Sequence, residues 1–184
     1  MEKYNEQIEL LEKEELEMPT SEVNLYIKLM AYYLVQNKLF DAKFLWSRIP
    51  VNFKAETKEL QRLNELQRNL ASNNLAEVLI NISKTEWSDE IKGVMDDLKE
   101  ITMENIFRLI GNSYTSILDE TLVSLTNLHE DQFKQKCADL DWTVENCDQQ
   151  LVIHPKKPAS IANNNADSEY QLSKLTEFVS FLEN

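Results

Sequence analysis

Glycine and proline are scarce in this chain, which has 2 glycines and 4 prolines among its 184 residues. Sandwiches, barrels and doubly wound sheets need turn residues between many short elements, so they are disfavoured. Apolar residues make up 42% of the sequence, which is enough for a packed interior. The composition therefore predicts a mostly α-helical protein whose helices are joined by short polar loops.

The residues that usually carry catalysis or metal binding are also rare. The 2 histidines and 2 cysteines show none of the spacings of a zinc site. Two glycines cannot form a phosphate-cradling loop or a dinucleotide fingerprint, and no nucleophile motif is present. We therefore expect no enzyme, no metal and no cofactor. The residues considered for these roles are His129, His154, Cys137, Cys147, Gly93 and Gly111.

Positive charge is in deficit, with 19 bases against 32 acids and a formal net charge of −13. Such a surface repels phosphate backbones and anionic lipid, so we expect no nucleic-acid or membrane partner. No apolar run approaches the roughly 18 to 20 residues of a transmembrane helix. The first residues, MEKYNEQIELLEKEELE, are charged throughout and lack a secretory apolar core. These features predict a reducing compartment, the cytoplasm and nucleus.

Residues 1–103 show apolar spacings of three and four that predict a stack of helical hairpins. Turns are expected at Asn37 and at Asn73, and Ser21 and Ser88 are expected N-caps. The predicted helices cover residues 2–17, 22–37, 40–49, 56–70, 75–82 and 89–101. In the third helix, the side chains expected to pack against the stack are Phe40, Phe44, Leu45 and Ile49.

The pattern changes over residues 104–158, where three helices precede two short extended runs, the order of a winged helix. We expect a helix over 103–117, a second helix capped by Asp119, and a third over 130–140. The runs WTVE and QQLVIH then predict a β-hairpin. The second helix contains Leu122, Val123 and Leu125, and the side chains expected to face inward from the other two are Ile106, Phe107, Ile110, Tyr114, Ile117, Phe133, Cys137 and Leu140.

A polar linker, residues 159–170, is predicted to separate this body from a C-terminal docking helix, residues 171–184. A helix this short is marginal alone in water, so its apolar seam needs another surface. We expect docking in a bundle with helices of other subunits; docking back onto the chain's own stack is the alternative. The seam consists of Leu172, Leu175, Phe178, Val179, Phe181 and Leu182.

A DNA-binding winged-helix regulator is a competing interpretation, because winged helices often insert their third helix into the major groove. Between Asp119 and Trp142 there are six acids and only two bases, Lys134 and Lys136. A DNA-reading face should be basic. The charge therefore favours a protein-docking fold over a DNA reader.

Four segments resemble the small PCI-domain family that includes the eighth subunit of the COP-nine signalosome. LFDAKFLWSRIP at 39–50 is similar to that family's second repeat helix, and SYTSI at 113–117 to its first winged-helix helix. HPKKP at 154–158 is similar to the exit from the wing, and LTEFVSFLEN at 175–184 to the tail. The match is colinear from about residue 20 onward, although Asp141 stands where the family tends to have glycine. The third helix must therefore end through an aspartate in the left-handed region.

The resemblance implies a non-catalytic scaffold in a hetero-oligomer that removes a ubiquitin-like modifier from cullins, with the metalloprotease in another subunit. Its partners would be other PCI-type and bundle-forming subunits. It also implies that the strand edge at Leu151, Val152 and Ile153 pairs with a neighbour. Small PCI subunits of the proteasome lid or of translation initiation factor three are the alternatives within the same family.

We predict that the purified chain binds no stoichiometric zinc and cleaves no modifier from cullin, because its histidines and cysteines supply no ligand set. Elemental analysis after gel filtration checks this directly. One tightly bound zinc ion per chain would contradict the prediction.

Overall fold

The structure, a computed structural model, describes residues 4–17, 22–128, 130–147 and 150–157, together with Thr176. Helices dominate this part of the chain, with one small sheet near its end, so the predicted mostly α fold is confirmed. In chain order the elements are α1 (Asn5–Glu17), α2 (Val23–Val35), α3 (Leu39–Arg48), α4 (Val51–Glu56), α5 (Lys58–Ala71), α6 (Leu75–Lys84), α7 (Asp89–Ser113), β1 (Ile117–Leu118), α8 (Asp119–Thr126), α9 (Glu130–Asp139), β2 (Thr143–Cys147) and β3 (Gln150–His154). None of the described helices is long and apolar enough to cross a membrane.

Asparagine and aspartate take the place that glycine usually holds at helix ends. Among the residues that the structure describes, four adopt a positive φ, namely Asn37, Asn73, Asn127 and Asp141, at 53–58°. Their short polar side chains tolerate the left-handed region better than most residues do. After α2, for example, the Asn37 N–H donates to the Leu34 carbonyl and the Lys38 N–H to the Tyr33 carbonyl, the paired bonds of a Schellman motif. The predicted asparagine turns are confirmed.

The first core cluster lies among α1 to α7 and takes more of its buried side chains from α2 than from any other helix. That helix buries residues around most of its circumference, because α1, α3, α5 and α7 surround it. In α5 a stripe of leucines spaced three residues apart faces this core, with Leu60, Leu63 and Leu66 at 0% exposure. The short helix α4, which the sequence analysis did not assign, follows Pro50 and packs against the cluster through Phe53.

Polar contacts fasten α1 to the body in addition to its buried Ile8. The Tyr33 hydroxyl donates to a Glu12 carboxylate oxygen at 2.7 Å, and burial together with that carboxylate raises the pKa of Tyr33. The Arg48 guanidinium binds both Glu15 oxygens, at 3.1 Å and 2.8 Å. Two planar groups joined by two hydrogen bonds fix the orientation of α1 against α3.

Helix α7 is continuous across the boundary predicted at residues 103 and 104, so the two helices expected there are one. Its first half contributes Ile91 and Met95 to the first core cluster. Its second half contributes Ile106 and Phe107 to a second cluster, shared with α8, α9 and the sheet. Since α7 has 25 residues, it extends about 38 Å and joins both cores in one rigid element.

Several side chains expected in the cores are exposed. In α3 the core face is formed by Ala42, Leu45 and Ile49, so the inward prediction for Phe40 and Phe44 is wrong. Both phenylalanines lie on the opposite side of the helix, 77% and 62% exposed. The same correction applies to Tyr114 and Leu140, which lie at helix ends and are exposed. Ser21, the N-cap expected for α2, lies outside the described residues, and Glu22 is the N-cap observed.

We predict opposite results for two neighbouring substitutions in α3. Leu45→Ala removes a fully buried side chain and should lower the free energy of unfolding by about 2 to 5 kcal/mol. Phe44→Ala changes an exposed position and should stay within about 0.5 kcal/mol of wild type. Urea unfolding followed by circular dichroism measures both. A loss of several kcal/mol in the Phe44 variant would place that side chain in the core.

Candidate interface

The second core holds together a winged helix built from the end of α7, β1, α8, α9 and the β2–β3 hairpin. Ile117, Leu122, Phe133 and Ile153 are buried at its centre, and each comes from a different element. The Trp142 ring packs against Phe107 of α7, with ring centroids 5.5 Å apart. This aromatic contact fixes the hairpin relative to the long helix.

Helix α9, the third helix of the winged helix, ends as expected from the sequence. Asp141 has a φ of 58°, so this residue takes the left-handed position for which glycine is the usual choice. The Trp142 N–H then donates to the Cys137 carbonyl at 2.9 Å, which turns the chain sharply into β2. The Lys156 ammonium lies 3.2 Å from the Asp141 carboxylate and ties the end of the wing back to this turn.

Strand β3 lies in the middle of the sheet, whose strand order is β1-β3-β2. The interpretation of residues 149–154 as a free edge is therefore wrong, since β1 pairs with Ile153 and Val152 on one side while β2 pairs along the other. Ile153 is fully buried and Leu151 packs against the same core. Binding of a partner by Leu151, Val152 and Ile153 stays a prediction.

Strand β1, like helix α4, was not predicted from the sequence, and its absence from the prediction caused that error. It has only two residues: Ile117, which was predicted to end a helix, and Leu118, which was assigned to no element. The available indication was local: polar residues 115 and 116 interrupt the helical spacing, and Asp119 begins the next helix. A two-residue strand is too short for periodicity to reveal.

The free edge of the wing is β2, where the side chains of residues 143–146 are exposed. Cys147 and Gln150 close the hairpin as a hydrogen-bonded pair. Along an antiparallel ladder, hydrogen-bonded and non-hydrogen-bonded pairs alternate from there. The N–H and C=O groups of Val144 and Asn146 therefore point away from β3. A strand edge of this kind offers backbone groups that an added strand can pair with.

The groove beside the wing is lined by charges of both signs, which fits a polypeptide partner better than a phosphate backbone. Beside the wing, α7, α9 and residues 156–157 form a groove of about 770 Å³. Met103, Phe107, Leu140 and Trp142 supply its apolar lining. Its charged lining residues are five bases, Lys99, Arg108, Lys136, Lys156 and Lys157, and four acids, Asp96, Glu100, Glu104 and Asp139.

The described residues contain no arrangement of three or more His, Cys, Asp or Glu side chains able to hold a metal ion. Cys137 is fully buried, and burial raises the pKa of its thiol, which keeps it protonated. His154 Nε2 lies 3.6 Å from a Glu145 oxygen across the hairpin, a surface contact on the wing. Chemically, this region offers backbone groups and apolar surface.

The predicted seam of the C-terminal helix lies outside the described residues, so its contacts stay a prediction. The residues concerned are Leu172, Leu175, Phe178, Val179, Phe181 and Leu182.

Helical hairpins that run into a winged helix through one shared helix define a PCI-type domain. Residues 21–163 match the CSN8/PSMD8/EIF3K family, and the chain belongs to that family. It is 44% identical to COP9 signalosome complex subunit 8 of Drosophila melanogaster over 99% of this chain and 98% of that one. It is 30% identical to the Xenopus laevis protein of the same name over 96% and 90%. The protein of that name from Arabidopsis thaliana is 28% identical over 85% and 78%.

We predict that a proline substitution has different effects at the edge of the sheet and at its centre. Val144→Pro removes an outward N–H, so it should leave the melting temperature within about 3 °C of wild type while weakening partner binding at least about tenfold. Val152→Pro is the matched control: its N–H faces β2, so its loss should cost about 2 kcal/mol or more of folding stability. Calorimetry and a binding titration measure the two effects. Equal loss of stability in both variants would mean that β2 is not the free edge.

Proposed function

We propose that this chain is a non-catalytic scaffold subunit of the COP9 signalosome, the complex that removes a ubiquitin-like modifier from cullin-RING ubiquitin ligases. Within it the chain joins other subunits through its winged helix and its C-terminal helix, and it resides in the cytoplasm and nucleus. The observation that carries this proposal is the similarity to COP9 signalosome complex subunit 8 of Drosophila melanogaster over 99% of the chain.

The extent of that similarity favours the signalosome over the proteasome lid and initiation factor three. The family match covers residues 21–163, which is the helical stack and the winged helix that sister subunits share. The 44% identity to the Drosophila protein extends over 183 residues and so includes the C-terminal segment as well. If the C-terminal segment is specific to one complex, the proteasome-lid and initiation-factor subunits would differ from this chain there.

A scaffold role fits what the described surface offers. Within the described part of the chain no strand pairs with the outer side of β2, and the neighbouring groove is apolar with charges of both signs at its sides. Interfaces between proteins combine such apolar centres with polar surroundings. We therefore assign β2 to contact with a neighbouring PCI-type subunit, and the helix 171–184 to a bundle formed with the others.

The direct test is a native pull-down of tagged chain from cell extract, followed by mass spectrometry. Recovery of the seven other signalosome subunits at similar abundance supports the proposal. Recovery of proteasome-lid or initiation-factor subunits in their place would assign the chain to a sister complex.

For the C-terminal helix we predict that the double variant Leu175→Ala, Phe178→Ala leaves the complex but keeps the melting temperature of the isolated chain. Each side chain is worth about 1.5 to 3 kcal/mol when buried, so affinity should fall by about a hundredfold or more. Ser173→Ala with Glu177→Ala, off the seam, serves as the control. A lower melting temperature with unchanged assembly would show that the helix docks on its own chain.

A further inference from the structure

We draw no further inference here: the strongest candidate, the apolar groove beside the wing between α7, α9 and residues 156–157, carries nothing, because acidic and basic side chains are mixed along both α7 and α9 and nothing in the described part of the chain shows what covers it.

Discussion

The packing of α7 into both cores is the constraint on which the rest of the structure depends. Ile91 and Met95 lie in the first cluster and Phe107 in the second, yet all three belong to one unbroken helix of 25 residues. Thr102, between the two halves, is buried, and its hydroxyl donates a hydrogen bond to the Leu98 carbonyl at 2.7 Å. Helix α7 therefore passes from one core to the other without leaving the buried Thr102 hydroxyl unpaired. Because α7 is continuous, the winged helix is held at a fixed angle to the helical stack, and so is its β2 edge.

Much of the fold could be predicted from the sequence, because its helices and turns depend on local chemistry. The leucine stripe of α5 and the hairpin turns at Asn37 and Asn73 need only spacing and left-handed propensity. With 2 glycines in the chain, asparagine and aspartate were the residues available for left-handed helix ends. The left-handed turn at Asp141, just after α9, was instead expected from the family resemblance, because that family tends to have glycine there.

What could not be predicted depends on contacts between distant residues. Strand β1 exists only because Ile117 pairs with Ile153, and a two-residue strand has no period of its own. That pairing places β3 in the centre and moves the free edge to β2. In α3, periodicity shows an apolar residue on every side and cannot tell which side meets α2 and α5. The two phenylalanines were assigned to the core for that reason, but both are exposed.

Unfolding measured separately in each core tests the central claim, that α7 makes the helical stack and the winged helix one cooperative unit. The chain has 3 tryptophans, so Trp46→Phe with Trp87→Phe leaves Trp142, which contacts Phe107 of α7, as the single fluorescent reporter of the second core. Circular dichroism reports the helices of both. In a urea titration, the account predicts coincident midpoints and slopes for the two signals. A Trp142 transition completed at a urea concentration where most of the helical signal remains would contradict it.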